Sequence, residues 1–189
     1  MRTVAIVALA LGLTLARPAE AAADSAAAKQ ALVLLRILSY DRYVGKRARG
    51  QVVIGVVRDD DDPASRRAAE TMADALRNTS RGVTVAGKPV VIVEIAAGDL
   101  FRDRLRALEV TAIYLATGLD SELDAINEAA RAHPCLTFTD RIDYMRRGVA
   151  VALSSNDRRI TISLDLVAVR AQGAQLSAEL LHVAEVVRR

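Results

Sequence analysis

The chain has 189 residues, 52% of them hydrophobic, and carries 26 Lys and Arg against 23 Asp and Glu for a formal charge of +3. That is long enough for one domain with its own core, and the charge is too balanced for a nucleic-acid binder, since no Lys/Arg block is interleaved with aromatics. Aromatics make up 3% and tryptophan is absent, so Ala, Val, Leu and Ile must fill the core, while a single cysteine, Cys135, excludes an internal disulfide.

Arg2 supplies a positive charge ahead of an almost uninterrupted apolar stretch at residues 3–16. Arg17-Pro18 breaks that stretch, and Ala19-Glu20-Ala21 offers a small-x-small cleavage site. This is the layout of a secretory signal peptide over residues 1–21, and the apolar stretch is short for a membrane span. No cysteine stands where a lipoprotein would need one. The expectation is an exported protein working in the periplasm, with residues 22–189 as one domain.

Residues 26–39 lack Gly and Pro and read as a helix that is apolar nearly all round. Such a helix is either buried on several sides or docked to a partner, and Leu32, Leu35 and Leu38 would be its interface stripe. The polar segment YDRYVGKRARG leads to QVVIGVV, a strand over 52–57 whose lack of alternation predicts cover on both faces. Four aspartates and a proline follow, RDDDDPASRR. Asp62 suits an N-cap and Pro63 the first helical position, ahead of a helix over about 64–77 with Ala68, Ala69, Met72 and Leu76 on one face. Carboxylates at a strand end also hold magnesium in receiver domains. Those domains need a further Asp on a later strand and a downstream lysine, and lysine is absent here after Lys88.

The segment GVTVAGKP at 82–89 has the phosphate-loop spacing, but Pro89 replaces the Ser/Thr and VVIVEI continues as a strand instead of a helix. It reads as a Gly87-centred turn before a strand over 90–95. Phe101, Leu105 and Leu108 mark a third helix, and TAIYLA at 111–116 a third strand. Ser121 with Asp124 gives a capping-box-like start to a helix with Leu123, Ile126 and Ala130 on its apolar face. A fourth strand covers 135–139. Strands over 149–153 and 159–164 then flank Ser154-Ser155-Asn156-Asp157, a hairpin turn signal. Helical segments follow around 166–170 and 176–187, the latter with Leu176, Leu180, Val183, Ala184 and Val187 on one face. The fold class is α/β: a mainly parallel sheet with helices on both faces, ending in an antiparallel hairpin and C-terminal helices.

No catalytic set stands out. His133 and His182 lack ligands at metal spacing, no G-x-S-x-G elbow occurs, and Cys135 reads as a small buried residue. No metal and no cofactor is expected. Asp59, Asp60, Thr117, Asp140 and Arg141 fall at strand ends, where open α/β sheets bind ligands, and are the candidate ligand or partner contacts.

The C-terminal half carries a likeness. CLTFTDRIDYMRRGVAVAL (135–153) and RITISLDLVAVRAQGAQLSAELLHVAEVV (159–187) resemble the closing segments of the YfiR family of exported bacterial proteins. Thr139-Asp140, Gly148, Ile162, Leu164, Leu176, Ser177, Leu180, Leu181 and Ala184 fall on the family pattern. Two features depart from it: Ser39-Tyr40-Asp41-Arg42-Tyr43 replaces an aromatic stretch, and Cys135 stands alone where better-known members carry cysteine pairs. The resemblance implies a non-enzymatic regulator that binds the periplasmic sensor part of a membrane-bound signalling protein, a diguanylate cyclase controlling cyclic-di-GMP or a sensor kinase. A homodimer is a further expectation for such a binding module. A periplasmic small-ligand-binding protein, with its pocket near Asp59, Thr117 and Asp140, is the alternative.

Overall fold

A computed structural model describes residues 18–156 and 159–188. The first 17 positions of the expected leader, and Asp157 of the expected hairpin turn, lie outside the described residues.

The first helix, α1 (Pro18–Ser39), starts earlier than the 26–39 expected. Residues 19–28 are mostly alanine, the residue most favourable to helix, so nothing in that stretch ends it. A short α2 (Val44–Arg47) precedes β1 (Val52–Arg58), and α3 (Pro63–Thr79) follows. Next come β2 (Thr84–Val85), β3 (Lys88–Ala96), α4 (Phe101–Ala107), β4 (Val110–Leu115), α5 (Leu123–Ala132) and β5 (Leu136–Thr139). The chain closes with α6 (Ile142–Met145), β6 (Val151–Ser155), β7 (Ile160–Asp165), α7 (Leu166–Ala171), α8 (Ala178–Val183) and β8 (Glu185–Arg188).

The strands form one sheet in the order β2-β3-β1-β4-β5-β6-β7-β8. β3, β1, β4, β5 and β6 run parallel, whereas β2 with β3 and β6 with β7 are antiparallel. The unalternating run of β1 is explained by its two covered faces. Val52, Ile54 and Val56 pack into the core beneath α1 and α3, and Val53 and Val57 into a second core beneath α4 and α5. β4 repeats the division, with Ala112 and Tyr114 on the first side and Ile113 and Leu115 on the second.

Two expectations are corrected. The segment 176–187 is not one helix: α8 ends at Val183, and β8 pairs parallel with β7 through Ser163 to Glu185 and Leu164 to Val186. Val183 and Val187 are 71% and 57% exposed, so the shared apolar face does not form. The adjacent β-branched Val186-Val187 suits an extended strand, and the open edge of β7 supplies its hydrogen-bond partner. Ser121 and Asp124 do not make a capping box either. α5 has Glu122 as N-cap without a side-chain bond, and Asp124 reaches Arg147 at 3.1 Å instead.

Candidate functional site

The aspartates after β1 are used locally. Asp62 is the N-cap of α3, its Oδ1 accepting from Ala64 N at 2.9 Å with Pro63 at the first helical position. Asp59 Oδ1 accepts from Asp61 N at 2.8 Å, and Asp59 N donates to Ser65 Oγ at 2.9 Å. Asp60 accepts from Arg58 Nε at 2.8 Å. These bonds satisfy the exposed N–H groups of a turn and a helix start. Among the described residues there is no group of three or more His, Cys, Asp or Glu that could hold a metal ion.

The GVTVAGKP segment is the β2–β3 hairpin, with Ala86 and Gly87 both at positive φ (51° and 73°) as a two-residue turn of this kind requires. Lys88 faces away from any phosphate cradle. Its Nζ donates to Gly45 O at 2.7 Å, Arg49 O at 3.2 Å and Ala48 O, closing the end of α2.

From β1 the chain first winds outward to β3 and then returns to β4 on the other side, so the order in which strands are added switches sides between the parallel β1 and β4. Open α/β sheets often bind ligands at that crevice. Here the loop at Gly118, whose φ is +85°, packs closely against Asp62 and Ser65. The open space is displaced by a strand, above the ends of β4, β5 and β6 and beneath α1 and α3. It is a hollow of about 540 Å³, walled by alanines of the two helices and reached by Gln30, Arg67, Tyr114, Thr117, Asp140 and Ser154.

Tyr114 is only 3% exposed, and its hydroxyl faces the Asp140 carboxylate. Burial, then the Asp140 charge, hold its pKa well above the usual tyrosine value. Asp140 is reachable from the surface, yet its carboxyl is packed closely enough that desolvation raises its pKa, against the opposing pull of its own backbone N–H, Arg141 and Tyr114. Gln30, on α1, is fixed by donating from Nε2 to Leu153 O at 2.8 Å.

Beside the hollow, Arg141 forms a two-point ion pair with Asp143 (2.6 and 3.0 Å) and donates to Thr117 Oγ1 at 3.2 Å. The Arg141 bond lowers the Asp143 pKa. The guanidinium sits 5.3 Å from the Tyr144 ring, while Tyr144 Oη accepts from Leu119 N at 3.0 Å and donates to Asp120 at 3.1 Å. Thr139 Oγ1 donates to Leu115 O at 3.2 Å and accepts from Arg141 N at 3.1 Å, locking the ends of β4 and β5 together.

Of the residues singled out in sequence, Thr117, Asp140 and Arg141 come together at one edge. Thr117 and Asp140 line the hollow, and Asp59 and Asp60 do not. Gln30, Arg67 and Tyr114 were not singled out. The tyrosine ring within the strand TAIYLA is the signal the sequence offers, because a buried tyrosine needs a polar partner. The interface stripe is corrected: Leu35 and Leu38 are 4% and 0% exposed inside the core, leaving only Leu32, at 60%, on the surface. Cys135 is buried, and His133 Nε2 lies 3.0 Å from Val110 O. Among the described residues no helix is long and apolar enough to cross a membrane.

No curated protein matches the chain. Among solved structures, a conserved domain protein from Vibrio cholerae O1 biovar El Tor is similar at a TM-score of 0.59 and 14% identity, over 85% of this chain and 59% of that one. An ABC domain in complex with L-Trp from Streptococcus pneumoniae is similar at 0.58 and 10% identity, over 85% and 60%. A ligand-free, open substrate-binding protein with adhesive properties from Clostridium difficile gives 0.53 and 12% identity, over 77% and 57%. The chain thus spans about three-fifths of each, and the likeness is one of α/β fold. The model of the YfiR/HmsC-like family matches residues 27–185, from within α1 to the start of β8, and the chain belongs to that family.

Proposed function

We propose that the protein is an exported, non-enzymatic regulator that binds the periplasmic sensor part of an inner-membrane signalling protein, a diguanylate cyclase or a sensor kinase, and modulates its output. Family membership over residues 27–185 carries this reading. The signal-peptide layout of residues 1–21 supports export. The histidine and cysteine placements support a non-catalytic role: His133 is engaged by a backbone carbonyl, and burial pushes the Cys135 thiol up to about 12. Deleting the gene and measuring cyclic-di-GMP and kinase output tests the reading. A change restored by the exported chain, and not by one lacking residues 1–21, is the expected result. An unchanged output in both assays contradicts it.

One observation favours a second function within the same body, a small-ligand site. The hollow of about 540 Å³ lies beyond the strand ends and carries a few converging polar groups on largely apolar walls. A regulator that binds a small molecule there would couple that molecule to its partner. A thermal shift with a metabolite, in the absence of any protein partner, is the corresponding measurement.

A further inference from the structure

Building on that small-ligand reading, we infer that the hollow takes a small organic ammonium compound, its apolar body against the alanine walls and its charged nitrogen donating to the Asp140 carboxylate and the neighbouring hydroxyl oxygens.

Three observations converge on this chemistry. The first is shape. Ala23, Ala26 and Ala27 of α1 and Ala68 of α3 line the hollow with short side chains, Met72 adds an apolar one, and the space between is about 540 Å³. That falls within the usual range for small-molecule sites, about 300–1,000 Å³.

The second is the kind of polar atom present. Thr71, Tyr114, Thr117, Ser154 and Ser155 bring hydroxyl oxygens, and Asp140 brings a carboxylate that can only accept when ionised. A ligand rich in donors fits such a set, and an ammonium group has three donors and no acceptor.

The third is charge. Among the described residues Asp140 has no ion-pair partner within 4.0 Å, because the neighbouring Arg141 guanidinium is spent on Asp143 and Thr117. The carboxylate is therefore partly desolvated and held by neutral donors, its own backbone N–H and the Tyr114 hydroxyl, with the Arg141 charge acting only from a distance; a cation brought into contact adds the ion pair it lacks. Arg67, also at the hollow, is the competing positive charge. It lies on the exposed side of α3, where water and salt screen it.

The test uses three probes of nearly one shape, cyclohexylmethylamine, cyclohexylmethanol and cyclohexanecarboxylate, titrated into the purified protein and followed by NMR shifts of the Tyr114 and Thr117 amides. The amine is expected to bind at least about tenfold more tightly than the alcohol, the gain of a charge-assisted bond. Asp140→Asn should remove that preference and leave the alcohol's affinity unchanged, which also reports that the variant is folded. Equal binding of amine and alcohol to the wild-type protein, or tightest binding of the carboxylate, overturns the ammonium inference and leaves the hollow as a ligand site. Binding of none of the three overturns the site as well. Loss of the alcohol along with the amine in Asp140→Asn assigns Asp140 to the fold and also overturns the inference.

Discussion

Gly118 and Asp62 meet so closely that a methyl group built on the Gly118 α-carbon would stand 2.3 Å from Asp62 Oδ2 and 3.2 Å from Ser65 Cβ. The glycine's φ of +85° adds a second demand that other residues meet poorly. The loop after β4 is thereby pressed against the start of α3, at the point where strand order switches sides between β1 and β4. Gly118→Ala should destabilise the protein by about 2–4 kcal/mol, combining left-handed backbone strain with overpacking. Asp62→Ala alone should cost about 1 kcal/mol through the lost cap. Because Asp62→Ala removes the clashing oxygen, the double variant should be more stable than the two costs added together. Urea unfolding of the three variants measures this, and strict additivity would mean that the close approach is not a constraint.

A second test lies at the corner between α1 and α2. Arg47 Nη2 stands 2.6 Å from Asp41 Oδ2, with the two side chains 9% and 0% exposed. The approach is an ion contact without hydrogen-bond alignment, and the alignment is supplied elsewhere: Asp41 Oδ1 accepts from Tyr43 N and Gln175 N, and Arg47 Nη1 donates to Gly173 O at 2.9 Å. The pair fastens this corner to the loop between α7 and α8. Arg47→Met should cost about 3–5 kcal/mol by leaving a buried carboxylate without its counter-charge. Adding Asp41→Asn should recover part of that loss in a denaturant titration.

The first helix makes a sharp distinction between neighbours. Leu35 is 4% exposed and Leu32 60%. Leu35→Asp should abolish cooperative folding, since an unpaired carboxylate would have to enter the core. Leu32→Asp should change stability by no more than about 0.5 kcal/mol, as at any exposed site. Circular dichroism melts of both variants check the burial pattern, and a comparable loss in the two would contradict it.

Cys135 supplies a pH test. Full burial raises its thiol pKa from 9.0 to about 12, with Arg47 opposing weakly. The thiolate is the reactive form, so iodoacetamide at pH 8 should leave the folded protein unlabelled and modify it only in denaturant. The linkage has a definite sign. Between about 9 and 12 the unfolded thiol has lost its proton while the folded one keeps it, so its contribution to stability is complete below 9 and falls as pH rises through that window. Rapid labelling under native conditions would show that the thiol is reachable.

These relationships differ in how visible they are in the sequence. The run VVIGVV and the dipeptide Asp62-Pro63 announce a two-faced strand and a helix start, because neighbours along the chain determine both. The course of 185–188 is another matter. Periodicity alone allows a continued helix, and the strand forms because β7, more than twenty residues earlier, offers an open edge. The hollow is less legible still. Gln30, Arg67, Tyr114 and Ser154 come from four separate elements, and only the packing of α1 on α3 gathers them. Thr117 and Asp140 were visible because strand ends in an alternating pattern are predictable positions. Asp59 and Asp60 shared that position, but the turn and the Arg58 ion pair use their side chains. Leu35 and Leu38 belong to a helix apolar all round, and sequence cannot say which side of such a helix remains outside.

Export followed by contact with a membrane signalling protein is read most directly by crosslinking in living cells. The tagged protein would be captured from the envelope fraction and its partners quantified by mass spectrometry. The expected result is a periplasmic protein lacking its first residues, joined reproducibly to one inner-membrane protein with a cyclase or kinase output domain. An unprocessed chain recovered from the cytoplasm, or an envelope capture without any such membrane protein, would contradict it.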